Sequence, residues 1–156
     1  MIYKSRDIIY FFDLDGTIFG FGCDYLKSPL RFIKNGPVFN PNKWDIRWNI
    51  LCGRPRRDVF FIRLSCAIFG LRPINIITYK NRFKREVNSR LLLDYKIDYM
   101  KLVIEGNQKI FSDVAKVFYI DSNLDSVCYV NTRRQKYPLM AITVKDFVEE
   151  NFNVFL

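Results

Sequence analysis

Residues 8–12, Ile-Ile-Tyr-Phe-Phe, form an unbroken apolar run that stops at Asp13-Leu14-Asp15-Gly16-Thr17. A strand buried on one face alternates apolar and polar side chains, whereas a strand buried on both faces does not alternate. The run therefore calls for a sheet covered on both sides, and the covering layers must be helices between the strands. Two carboxylates stand where this strand ends, one residue apart. Successive side chains of extended backbone point to opposite sides, so Asp13 and Asp15 share a side and Leu14 turns into packing.

Further apolar runs repeat the pattern at 46–51 (Ile-Arg-Trp-Asn-Ile-Leu), 74–78, 117–121 and 139–144. Segments of helical spacing lie between them. One starts at Pro55, a residue suited to a first helical turn, and runs to about Phe69 before Gly70. It places Phe60, Leu64, Ala67 and Ile68 on one face. A second covers 82–95, with Phe83, Val87 and Leu91 in line. Residues 96–115 are ambiguous: Met100–Ile104 suits a strand or a helix, and 107–116 reads as helical. A short helix carries Leu124, Val127 and Cys128, and residues 145–152 close the chain as another. The expected fold class is α/β: a Rossmann-like parallel sheet of about five strands with helices on both faces. With 156 residues, a single domain over 1–156 is expected, with 18–45 as a flap or loop insertion.

In such sheets ligands sit beyond the carboxyl ends of the strands. The residues at those ends are Asp13 and Asp15, Cys52–Arg54, Thr78–Lys80, and Asp121–Asp125. Composition narrows what they can do. The chain has no histidine, which removes histidine bases, histidine-dependent triads and most zinc sites. Its four cysteines form no CxxC pair, so they read as free thiols. A formal net charge of +9 attracts polyanions or phosphorylated substrates. No apolar run approaches the ~18 residues of a membrane span, and the first residues lack the apolar stretch of a secretory signal. A cytoplasmic protein with no membrane partner is expected.

The Ile-Ile-Tyr-Phe-Phe-Asp-Leu-Asp-Gly-Thr stretch resembles the first motif of the haloacid dehalogenase superfamily, a strand followed by DxDGT. Asn-Ile-Leu-Cys-Gly-Arg is similar to its second motif, Phe-Lys-Arg-Glu-Val to its third, and Val-Phe-Tyr-Ile-Asp-Ser-Asn-Leu-Asp to its fourth. The resemblance spans about residues 7 to 131. It implies a Mg2+-dependent phosphohydrolase in which Asp13 is the nucleophile and forms an aspartyl-phosphate. Asp15 is implied as general acid and then base, with its backbone carbonyl on the metal. Asp121 is implied as the metal's second carboxylate, with Asp125 or Ser122 as a further ligand. Phosphate-binding roles fall to Cys52, Gly53, Arg54 and Lys84, with Lys80 as the alternative lysine. Cys52 departs from the family, which has a Thr or Ser hydroxyl there; a thiol is the poorer donor.

The insertion is too short for a folded cap, and an open site suits a bulky substrate. Lys27, Arg31, Lys34 and Lys43 interleave there with Phe19, Phe21, Tyr25, Phe32, Phe39 and Trp44, a pattern that tracks a phosphate backbone and stacks bases, or that merely packs the flap onto the body. The spacing from Pro-Asn-Lys-Trp through Gly-Arg-Pro to Thr-Tyr-Lys-Asn-Arg-Phe-Lys is also similar to domains of this superfamily linked to RNA repair. A nucleic-acid terminal phosphate or a nucleotide is the expected substrate. A different small phosphate ester, or a non-catalytic nucleic-acid or protein-binding module, are the alternatives.

Overall fold

The computed structural model describes residues 8–20, 36–79, 89–110 and 116–152. They build five strands: β1 (Ile9–Phe12), β2 (Trp48–Pro55), β3 (Ile76–Tyr79), β4 (Val117–Asp121) and β5 (Leu139–Thr143). The helices are α1 (Val59–Ile68), α2 (Ser89–Ile110), α3 (Leu124–Arg133) and α4 (Val144–Phe152). The strands form one sheet in the order β3-β2-β1-β4-β5, and every pairing is parallel. This is the α/β arrangement that the unbroken apolar runs require.

Alternation along each strand sorts the core into two layers. Phe12, Ile50, Cys52, Ile120 and Ile142 join Ile62 and Cys66 of α1 and Phe147 of α4 in one cluster. Ile9, Phe11, Leu51, Tyr119 and Ala141 join Ile97, Met100 and Ile104 of α2 and Val127 and Val130 of α3 in the other. The sheet is therefore covered on both faces, which is why its central strands carry almost no polar side chains.

Several boundaries differ from the sequence reading. β2 extends through Cys52, Gly53 and Arg54 to Pro55, with an irregular register against β3 between Leu51 and Pro55. A short 3-10 turn over Arg56–Asp58 follows, so the helix starts at Val59 and Pro55 lies before it. The buried face of α1 is Ile62, Ser65 and Cys66, while Phe60, Leu64, Ala67 and Ile68 are exposed. The first turn, Val-Phe-Phe-Ile, is apolar all round, so spacing alone cannot say which side meets the sheet. Met100–Ile104 is helical, inside the long α2. Leu91 is exposed, and Phe83 and Val87 lie outside the described residues. In α3, Val127 is buried as expected, but Leu124 and Cys128 face outward.

Of the insertion's aromatic residues, Phe19, Phe39 and Trp44 pack onto the body. Phe19 is buried, Phe39 stacks on Phe12 at 5.7 Å between ring centroids, and Trp44 meets Phe147 edge-on at 5.6 Å. These three rings are core, not a stacking platform. Lys27, Arg31, Lys34, Phe21, Tyr25 and Phe32 lie outside the described residues. Phe147 also contacts Tyr10 and Phe12 edge-on, so it fastens α4 to the sheet. Phe147→Ala is expected to cost about 3–5 kcal/mol, the usual range for a deleted core phenylalanine. Urea denaturation checks this; a midpoint within error of wild type contradicts the packing described.

Candidate active site

The strand order places the site. From β1 the chain moves outward through β2 to β3, then returns to the other side of β1 for β4 and β5. Such a reversal leaves a crevice at the carboxyl ends of the two strands that flank it, here β1 and β4. Their register pairs Ile9 with Val117 through Phe12 with Ile120, and the Asp13 N–H continues the ladder to the Ile120 carbonyl at 2.9 Å. Asp13 thus stands beside Asp121. Both belong to the alternation set that faces α2.

The turn after Asp13 is held from inside. Leu14 is fully buried, and its carbonyl accepts hydrogen bonds from the N–H groups of Ile18 and Phe19 at 3.1 and 3.0 Å. Gly16 adopts φ +81°, a left-handed conformation that costs an ordinary side chain energy. Thr17 Oγ1 accepts from the Ser122 N–H at 3.0 Å, which ties this turn to the end of β4. Asp13, Asp15 and Asp121 then line one cavity of about 160 Å³ with Leu92, Leu93, Lys96, Asn123 and Ser126. Asp15 reaches the cavity through this turn rather than through strand alternation, since β1 ends at Phe12.

The cavity's cation is Lys96, which sequence reasoning missed. Its Nζ lies 2.7 Å from Asp13 Oδ1 and donates to the Tyr119 hydroxyl at 2.8 Å. Tyr119 donates in turn to Asp121 Oδ2 at 2.7 Å, and the Asn123 N–H donates to Asp121 Oδ1 at 2.9 Å. Among the described residues no buried side-chain polar atom lacks a partner, so this chain of groups is closed. Lys84 and Lys80, the lysines expected here, lie outside the described residues. Lys96 reads as a solvated helix residue because it is charged, yet it sits on the stripe of Leu92, Met100 and Ile104, four residues apart. A lone lysine interrupting an apolar stripe was the available signal.

Gly53 helps Lys96 reach the site. A Cβ there would come within 2.9 Å of Leu92 Cδ1, so α2 rests directly on the glycine. Leu92 and Lys96 lie one helical turn apart on the same face. The Tyr95 hydroxyl donates to the Thr78 carbonyl at 2.6 Å and fastens the same turn to β3.

Arg54 also holds a site carboxylate. Its Nε donates to Asp15 Oδ2 at 2.9 Å and its Nη2 to Asp15 Oδ1 at 2.7 Å, a bidentate pair that fixes the carboxylate's plane. Cys52 does not line the cavity. Its thiol donates to the Ile77 carbonyl at 3.6 Å, and burial pushes its pKa up to about 12, so it stays neutral. Ser122 and Asp125 are exposed and do not line the cavity either. Asn123 caps α3, its side chain accepting from the Asp125 and Ser126 N–H groups.

Electrostatics follow from the count of charges. Arg54 pairs with Asp15, and among the described residues Lys96 is the cation that faces Asp13 and Asp121. Burial raises the Asp13 pKa, Lys96 opposes the rise and Asp121 adds to it, leaving Asp13 at about 6. Burial disfavours the Lys96 ammonium, but the two carboxylates outweigh that and hold its pKa above the ordinary lysine value. Among the described residues, Asp13, Asp15 and Asp121 face two cations, Lys96 and Arg54. The site's donors are oxygens, the type a hard cation such as magnesium prefers. Among the described residues no three acidic, cysteine or histidine side chains converge tightly enough to hold an ion alone.

No family model, characterised protein or solved structure matches the chain.

Asp13 binds its proton more tightly folded than unfolded, because its pKa rises from 3.8 to about 6. Its favourable contribution is therefore present below about pH 4 and lost as pH rises to about 6. In metal-free buffer, wild type should lose stability relative to Asp13→Asn across that window and run level above it. Denaturation midpoints of both proteins from acid to neutral pH check this; a constant difference contradicts it. Tyr119→Phe leaves Asp121 Oδ2 and Lys96 each short of a buried partner, and should destabilise by about 1–3 kcal/mol in urea melts.

Proposed function

We propose that the chain is a Mg2+-dependent phosphohydrolase working through an aspartyl-phosphate on Asp13. The observation that carries this reading is the cavity itself: Asp13, Asp15 and Asp121 converge on it, and the buried Lys96 ammonium touches Asp13. A carboxylate nucleophile suits a chain without histidine. It needs cationic surroundings, because phosphate and carboxylate repel. Lys96 supplies one fixed positive charge, in a position that costs no reorganisation during reaction.

Asp13, Asp121 and the Asp15 carbonyl are the groups that would hold magnesium, which screens the phosphate's charge when bound. One Asp13 carboxylate oxygen attacks phosphorus, and the bond from phosphorus to the leaving oxygen breaks. Asp15, which must enter this step carrying a proton and so give up one of its two Arg54 hydrogen bonds, passes that proton to the leaving oxygen. Water then attacks the phosphorus, Asp15 takes up the water's proton, and inorganic phosphate leaves Asp13 regenerated. Proton transfer by a placed group is typically worth about 10²–10⁴-fold. Arg54 orients Asp15 for both transfers. With its thiol donating to the Ile77 carbonyl, Cys52 offers the phosphate no donor. The cavity has room for a phosphate but little more, so the rest of the substrate stays outside it. A net charge of +9 favours a polyanionic remainder, a nucleic-acid end or a nucleotide.

The same turning away of Cys52 favours a second reading, a phosphate-binding module without turnover. Hydrolysis of an aryl phosphate separates the two. Activity should require magnesium, disappear under a chelator, and fall at least 10³-fold in Asp13→Asn, since removing the nucleophile removes the covalent path. An inactive wild type across aryl, sugar, nucleotide and oligonucleotide phosphates rules out the hydrolase. Asp15→Asn should spare binding yet slow turnover by about 10²–10⁴-fold, read from single-turnover rates.

A further inference from the structure

The outward side of α1 has no role in the site described, yet it is unusual. Phe60 is 68% exposed, and Leu64 and Ile68 are also exposed, one helical turn apart on a single stripe with Arg63 and Ala67. Between Arg54 and Arg72 the sequence holds five arginines, no lysine and one acid, Asp58. That acid is turned inward, 3.4 Å from Arg54 and 3.9 Å from Arg57. Arg56, Arg57, Arg63 and Arg72 are exposed around the stripe. A groove of about 280 Å³ runs beside the helix and is lined by Arg63 and Arg72 along with Ala67, Leu71 and Pro73.

Position gives this face a direction. Arg54 holds Asp15 in the cavity, and Arg56 follows two residues later, no more than roughly 7 Å along the chain. α1 then leads away from the carboxyl edge of the sheet at 1.5 Å per residue. α1 covers the sheet face opposite α2, so a ligand anchored by one phosphate at Asp13 would cross the carboxyl edge beside Arg54 to meet Arg56 and Arg57, then Phe60 and Arg63, and last Arg72.

We propose that this face is a track for a single-stranded polynucleotide whose terminal phosphate occupies the Asp13 cavity. The inference rests on the phosphohydrolase reading for its terminal phosphate, and names the polymer as the substrate class. Guanidinium groups bind phosphates bidentately, and an exposed ring offers a face on which any base can stack. A second copy of the chain is the poorer occupant. A twofold interface sets the same patch against itself, which would press arginines against arginines with no carboxylate to match them. A mononucleotide is too short to reach past the first arginines.

The test is fluorescence anisotropy with a labelled oligothymidylate bearing a 3′-phosphate, and its 5′-phosphate counterpart, in chelator across a salt series. Wild type should bind with a steep salt dependence. The double variant Arg56→Ala/Arg57→Ala should lower the log–log slope by about 1.4, at about 0.7 per lost phosphate contact on single strands. Phe60→Ala should weaken binding about tenfold and leave the slope unchanged. Aryl phosphate hydrolysis, which involves no polymer, should be unaltered in all of these. Equal slopes and affinities in wild type and variants overturn the track. So does a wild-type dimer in sedimentation that Phe60→Ala dissolves, since a second copy then covers the face. If wild type lacks aryl phosphatase activity but the binding differences appear, the hydrolase reading fails and the track stands.

Discussion

The contact between Lys96 and Asp13 is the one on which the rest of the site depends. Two carboxylates at adjacent strand ends repel each other, and burial makes the repulsion worse. A single ammonium, itself costly to bury, sits against Asp13 and is linked to Asp121 through the Tyr119 hydroxyl. Removing any one member leaves a charge or a polar group stranded. The cluster therefore constrains three elements at once: Asp13 must directly follow β1, β4 must lie beside it in register, and α2 must press close enough for Lys96 to reach. The Leu92 side chain of α2 lies directly against Gly53, which leaves it room.

This arrangement leaves the site charged in a way that has chemical use. Asp15 is matched by Arg54, while Asp13 shares Lys96 with Asp121, and its pKa is raised by burial first and by the neighbouring Asp121 second. Oxygen-borne charge in a small cavity is a place for a hard cation, and a cation is what a phosphate approaching a carboxylate needs. Outside the cavity the balance reverses. Arg56, Arg57 and Arg72 flank α1 and Arg63 lies on it, and apolar groups are exposed between them. Under the proposed reading, these two features together would hold a polyanion by its end.

Much of this was legible in the chain. Strands buried on both faces appear as unbroken apolar runs, and the carboxylates that end two of them mark the edge where a parallel sheet binds ligands. Asp13, Asp15, Asp121 and Arg54 follow from that pattern. Helix faces were harder. α1 is apolar on nearly every side of its first turn, so Phe60 and Leu64 looked as fit for the core as Ile62 does. Lys96 was hidden for the opposite reason, since a charged residue within a helix ordinarily marks the solvated side. Cys52 stood at the expected position, but only the neighbouring strand shows its thiol turned to Ile77.

By itself the sequence determined the class of fold and the chemical vocabulary: buried parallel strands, carboxylates at their ends, and no histidine. Those properties are local, set by the period of burial and by which side chains are present. Tertiary structure decided which cation meets which anion, and which face of each helix is inside. Such pairings join residues far apart along the chain, 83 positions in the case of Asp13 and Lys96. They depend on strand order, on register and on how closely a helix can approach a glycine, and no periodicity in the sequence records these.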